Sequence, residues 1–222
     1  MSDSTANYGE GATWSQGAIA METNRYALAG WLSIVAAAIF PAAMVMSWIQ
    51  GVIGIKAFHY RGPMFGPADI LFIGFTAISI YVLIKLKNLL NDRYQFHGLD
   101  LLIPIVIGFN ILFQVASFAL RGLIISVWPL TPAELTVVYV TFMVIFFVSA
   151  GIIDIIFAVL ILKAKELLGS KLTLYAYLVL AGGIAELTII LLPVVAFLIL
   201  PATFIVLGTI FLGADKDELE FV

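Results

Sequence analysis

Six polar or ionisable side chains lie inside long apolar stretches of this sequence, where they could carry protons or bind a cation. Two of them are acids, Asp154 and Glu186. Placing an ionised side chain in hydrocarbon costs roughly 2.5–3.5 kcal/mol, so such a residue needs a partner or a wet cavity. The other four follow at spacings of four, three and four residues, which places them on one helical face: Asn110, Gln114, Ser117 and Arg121.

Depth along the helices predicts which of these groups meet. With a rise of about 1.5 Å per residue from the basic helix ends, Asn110 and Asp154 lie about 16 and 13 Å deep. Gln114 and Glu186 lie about 22 and 21 Å deep. The two carboxylates would then differ by roughly 8 Å in depth, which argues against a direct acid pair. We therefore expect a polar ladder linking the third, fourth and fifth helices, either as an ion path or as hydrogen-bonded helix contacts.

Other kinds of functional site find little support in the residue types. The chain has no cysteine, and its two histidines, His59 and His97, fall in loops that we expect on opposite sides of the membrane. Thiolate and iron–sulfur sites are therefore excluded, and we expect no metal or other cofactor. The sequence contains no phosphate-binding or hydrolase motif, and its net charge of −3 gives no basic surface for nucleic acid. We expect a protein that is not an enzyme.

The composition indicates which elements position the polar residues. Hydrophobic residues make up 63% of the chain and charged residues only 11%, with a mean hydropathy of +1.12. A soluble domain is about half apolar and about one quarter charged, so the sequence predicts an all-α integral membrane protein. The transmembrane helical bundle is expected over 27–213, between a polar N-terminal tail (1–26) and an acidic C-terminal tail (214–222).

Crossing the hydrocarbon takes about 20 helical residues, and the apolar runs predict six such helices. The first four are expected over 27–55, over 69–84, over 99–120, and from Thr131 to Lys163. In the last of these, Thr131, Pro132 and Glu134 form a capping-box pattern at the helix start.

The last apolar block, 172–213, would reach about 63 Å as one helix, twice the hydrocarbon thickness. Because Pro193 and Pro201 lie in this block, we expect a turn around 192–196 that separates a fifth from a sixth helix. A single kinked helix, with five spans in all, is the alternative.

The second and fourth predicted helices end in the same signature, Lys-x-Lys-x-Leu-Leu, within "VLIKLKNLL" (82–90) and "LILKAKELL" (160–168). The match suggests a parallel internal repeat of a helix pair, or convergence on a common interfacial pattern. Basic residues in short turns mark the cytoplasmic side, so we expect a multi-pass cell-membrane protein with a cytoplasmic N-terminus. The residues of these basic turns are Lys85, Lys87, Arg93, Lys163, Lys165 and Lys171.

Small residues at helical spacing predict close helix packing. Ala29, Ser33 and Ala37 recur every four residues in the first span, and Gly182 and Gly183 are adjacent in the fifth. Long apolar helices with short loops favour a non-catalytic structural or accessory subunit of a membrane complex or homo-oligomer. Its expected partners are the lipid bilayer and other membrane subunits or itself. The alternative is a small proton or cation transporter or channel that uses the polar ladder.

Overall fold

The computed structural model describes residues 25–56, 65–126 and 132–214, with side chains for 25–49, 65–120, 134 and 137–214. Six helices in these ranges are long and apolar enough to cross a membrane, which confirms the predicted all-α bundle of six spans. They are α1 (Ala27–Lys56), α2 (Pro67–Tyr94), α3 (Leu102–Ser126), α4 (Pro132–Lys163), α5 (Lys165–Leu187) and α6 (Leu192–Gly213). The expected cap at Thr131 and most of the two tails lie outside the described residues.

The six helices pack as a ring in chain order. Each helix contacts the next, and α6 returns to α1. The most extensive contacts join α4 to α5, α1 to α6 and α1 to α2, whereas α3 touches its neighbours α2 and α4 only sparsely. The ring is therefore tightly built on the side of α6 and loosely closed on the opposite side, at α3.

A large apolar core fills one end of the ring. Its fully buried members include Leu86, Leu90, Ile161, Leu172 and Phe211, from four of the helices. Tyr26 before α1 and Ala214 after α6 join the same cluster, so both ends of the bundle's chain lie here. The α2–α3 and α4–α5 turns also lie at this end, and we call it the basic end because the lysines and arginines of those turns surround it.

Helix α2 is longer than expected and does not stop at Lys85 and Lys87. It continues to Tyr94 and ends at Gln95, whose φ of 49° is left-handed. The extension buries Leu86, Leu89 and Leu90 in the core, whereas Lys85 and Lys87 stay partly exposed. The lysines in the sequence therefore do not mark the end of this helix.

Polar contacts hold the α2–α3 turn together at the basic end. Asn91 donates a hydrogen bond of 2.8 Å to the Asp100 carboxylate, and the Lys87 ammonium lies 3.4 Å from the same oxygen. His97 Nδ1 lies 3.0 Å from the other Asp100 oxygen. The pKa of Asp100 is lowered from its ordinary value chiefly by the Asn91 hydrogen bond, with His97 and Lys87 contributing further. The sparsely packed α3 is thus fixed at its N-terminal end by this network.

The backbone of the α4–α5 turn differs from that of the α2–α3 turn, so the structure does not confirm an internal repeat. Helix α5 begins directly after Ala164 and bends at Gly169, whose φ is 76°. The paired leucines also differ: Leu89 is 2% exposed, whereas its counterpart Leu167 is 57% exposed. The shared Lys-x-Lys-x-Leu-Leu signature therefore stands in two different local structures.

The turn between α5 and α6 lies at Thr188–Leu191, before the predicted 192–196. Ile189 adopts a left-handed φ of 56°, which reverses the chain. Pro193 falls in the first turn of α6, where no helical N–H is needed, and so it starts a helix instead of breaking one. Residues Val195–Ile199 then form a π-helical turn ahead of Pro201, and this wider turn accommodates the second proline.

Small residues are buried along α1, and glycines bring this helix close to α6. Ala29 and Ser33 are fully buried and Ala37 is 7% exposed. A Cβ added to Gly208 would lie 3.0 Å from the Gly30 carbonyl oxygen, so the two backbones are almost in contact there. The small residues noted in the sequence are thus buried in the bundle, and Gly30 and Gly208 form the close approach between α1 and α6.

Candidate functional site

The candidate site lies where α4 and α5 cross most closely, at Gly151 and Gly183. A Cβ added to Gly151 would lie 2.7 Å from the Gly183 carbonyl oxygen, and one added to Gly183 would lie 2.8 Å from the Gly151 carbonyl oxygen. Only glycine permits such an approach, because any side chain would meet backbone on the facing helix. Gly182 is also buried and faces α6. A Cβ added to Gly182 would lie 3.4 Å from the Ile199 side chain.

Asp154 and Glu186 flank this crossing. The Cβ of Asp154 lies 3.2 Å from a Cβ placed on Gly183, and the Cβ of Glu186 lies 3.3 Å from one placed on Gly151. Since the helices are antiparallel and each acid is three residues from its glycine, the two are offset by about 9 Å along the axes. The offset is close to the separation of roughly 8 Å expected from the sequence, so the two acids lie at different depths along the crossing.

Glu186 has a polar atom with no partner. Its Oε2 is buried and makes no hydrogen bond. Within the described ranges, no lysine or arginine pairs with Glu186 or with Asp154. Because an unpaired carboxylate in a low-dielectric interior is costly, such a group has to take up a proton or pair with a cation. The chemistry open to this crossing is therefore proton or cation binding.

The polar residues of α3 share one stripe, but none of the described ones, Asn110, Gln114 and Ser117, bonds to the acids. Towards the basic end the stripe is apolar and includes Ile103, which is 1% exposed. Further along, the Asn110 side chain donates a hydrogen bond of 2.8 Å to the Val106 carbonyl oxygen of its own helix. Ser117 is 9% exposed and its Oγ has no partner. Arg121 belongs to α3, but its side chain lies outside the described part of the chain.

The sequence therefore predicts the residues of the ladder but not their connections. Asn110 bonds within its own helix instead of to Asp154, and Glu186 keeps a buried oxygen free instead of bonding to Gln114. The physical reason lies in the packing, since α3 contacts α2 and α4 only sparsely and does not pack closely on α5.

Aromatic rings take the place of the predicted amide contacts between α3 and α4. Phe113 stacks on Phe146 with ring centroids 3.5 Å apart, and Phe109 stacks on the same ring at 5.0 Å. Phe113 also stacks on Phe142 at 5.5 Å. The spacing of four residues between Phe109 and Phe113, repeated between Phe142 and Phe146, was the signal in the sequence for this seam.

Metal binding by several side chains together has no support within the ranges that the structure describes. No three His, Asp or Glu side chains converge there. His97 contacts Asp100 in the α2–α3 turn, and His59 lies outside the described residues. The acids at the α4–α5 crossing thus form the candidate site by themselves.

In the part of the chain that the structure describes, the protein has six helices long and apolar enough to span a membrane. No protein-family model matches the chain, and no curated protein or solved structure matches it.

Proposed function

We propose that this chain is a non-catalytic membrane subunit that assembles with other membrane subunits or with copies of itself. The observation that carries the proposal is the loosely held helix α3. Its Gln114 side chain is only partly buried and makes no hydrogen bond to another described residue. An amide in hydrocarbon gains from a partner on a neighbouring helix, and sparse packing around α3 leaves room for a second chain to supply one.

The proposal places the basic end in the cytoplasm. Arg25 pairs with Asp92 at 3.1 Å, and Arg93 donates to the Ala214 carbonyl oxygen, so both termini of the bundle meet the basic turns. Lysine and arginine in short turns favour the cytoplasmic side. This orientation gives the multi-pass chain a cytoplasmic N-terminus.

Native mass spectrometry in mild detergent should show particles heavier than one chain of 24.2 kDa. The substitution Gln114→Leu should shift at least half of them to single chains, because it removes the amide that bonds across the interface. Thr209→Val is the matched control: this exposed residue lies on α6, opposite α3 in the ring, and bonds only to its own helix. A wild-type protein found only as single chains, or equal dissociation by both variants, would contradict the proposal.

A second candidate function, proton or cation transport, is favoured by the unpartnered Glu186 Oε2 at the crossing that Asp154 also flanks. Because the two acids are offset by about 9 Å along the helices, water between them would carry the proton or cation from one to the other. In this function the α4–α5 crossing is the binding site, and the polar stripe of α3 carries water to it.

Transport predicts that Asp154→Asn or Glu186→Gln lowers proton or sodium flux into proteoliposomes at least tenfold. Both variants keep the shape of the side chain, so the elution volume and melting temperature should stay close to those of the wild type. The control is Glu166→Gln, which removes an exposed acid at the basic end. Unchanged flux in both carboxylate variants, or a wild-type flux no higher than that of empty liposomes, would rule transport out.

A further inference from the structure

The bend in α5 at Gly169 opens a shallow groove on the outer surface of the ring, close to the basic end. The groove has a volume of about 440 Å³, and its lining includes Lys165, Glu166, Ser170, Leu174 and Tyr177. A Cβ added to Gly169 would meet no atom within 4 Å, so the space beside the bend is open. Neither proposed function uses this surface.

The groove changes in character along its length. Its part nearest the basic end carries one positive and one negative side chain, Lys165 and Glu166, both exposed. Neither pairs with another described residue. Further along the helix, towards the bilayer centre, the lining becomes Leu174 and Tyr177, which are 51% and 54% exposed. Buried residues of the same helix, such as Leu172 and Ala176, face the core on the other side.

We propose that this groove binds a phospholipid with a primary-amine headgroup, from the leaflet on the side of the basic end. The Lys165 ammonium and the Ser170 hydroxyl are suited to the lipid phosphate, and the Glu166 carboxylate to the headgroup ammonium. The acyl chain lies along Leu174 and Tyr177, whose exposed side chains give this part of the groove a largely apolar floor.

The charges of Lys165 and Glu166 determine which class of lipid headgroup the groove binds best. Because Lys165 and Glu166 cancel, the groove matches a headgroup that itself carries one positive and one negative charge. A net anionic lipid would meet Glu166 with an unpaired like charge. A choline headgroup carries no N–H and cannot donate a hydrogen bond to Glu166. The complementarity therefore selects phosphatidylethanolamine over phosphatidylglycerol and phosphatidylcholine.

The test is native mass spectrometry of the full-length protein with these three lipids, matched in acyl chains. Bound phosphatidylethanolamine should exceed phosphatidylcholine at least threefold. Glu166→Gln should abolish that preference, and Lys165→Gln should weaken binding of all three lipids. Lys163→Gln, which removes an exposed lysine outside the groove, serves as the control and should change neither.

Three outcomes would overturn the lipid site. One is equal binding of the three lipids by the wild type. Another is tighter binding of phosphatidylglycerol, which would make the surface a general attractor of anionic lipid. The third is a Lys163→Gln variant that loses as much binding as Lys165→Gln, which would assign the effect to overall charge at the basic end. None of these outcomes bears on oligomeric state or on flux, so the proposed functions are tested separately.

Discussion

Replacing Gly183 with valine should destabilise the bundle by about 3 kcal/mol, because the new side chain would be forced into the backbone of α4. Its Cβ alone would lie 2.8 Å from the Gly151 carbonyl oxygen, and a helix backbone moves away only by opening the crossing. Opening it would also part Asp154 from Glu186. Thermal unfolding in detergent, followed by the loss of folded protein on size exclusion, measures the effect.

Two other glycines provide matched controls for this prediction. A Cβ added to Gly74 in α2 or to Gly108 in α3 would meet nothing within 4 Å. Valine is no worse a helix former than glycine, so Gly74→Val and Gly108→Val should leave stability nearly unchanged. Destabilisation of similar size at Gly74, Gly108 and Gly183 would show that the α4–α5 crossing is not specially tight.

The sequence predicts the number of spans and their helical structure because the hydrocarbon of the bilayer permits few alternatives. Hydrocarbon about 30 Å thick tolerates no unsatisfied backbone, so every apolar run of the right length has to be a helix. Local chemistry predicts the ends of those helices less well. Helix α2 runs past Lys85 and Lys87, and Pro193 could start a helix as readily as it could end one.

The candidate site shows a different limit. Depth along each helix placed the acids and amides at comparable levels, and the offset between Asp154 and Glu186 agrees with the predicted separation to about 1 Å. Depth gives no information about which helices are neighbours. Which helices are neighbours depends on where two backbones can approach closely. For α4 and α5 the approach is at Gly151 and Gly183, which lie more than thirty residues apart in the sequence. Because the chain has 18 glycines, the sequence does not show which two of them meet.

The same reasoning explains why α3 differs from the other spans. Its stripe combines a buried apolar half with a polar half that finds no partner on α5, and its contacts to α2 and α4 are few. Between helices in lipid there is no hydrophobic driving force, so attraction depends on close packing and hydrogen bonds. The sparse packing of α3 within its own chain is therefore what supports the proposed binding of a second chain at this helix.

The substitution Phe211→Ala should be among the most damaging in the core, with a loss of about 3 kcal/mol. Phe211 is fully buried, and its ring stacks on Tyr26 with centroids 6.1 Å apart. It therefore joins the end of α6 to the start of α1 at the basic end. Lipid tails are as apolar as the core, so the cost comes mainly from the cavity and the lost packing contacts. Unfolding with SDS, followed by tryptophan fluorescence, measures the loss.

Leu198→Ala on the same helix is the control for that prediction. Leu198 is 66% exposed, so its truncation leaves no enclosed cavity, and we expect a change within about 0.5 kcal/mol. The contrast tests where the bundle is held together. If both variants lost the same stability, the basic end would not be the packed core of the ring, and α1 and α6 would have to be joined by other contacts, such as those of Gly30 with Gly208 and of Trp48 with Phe197.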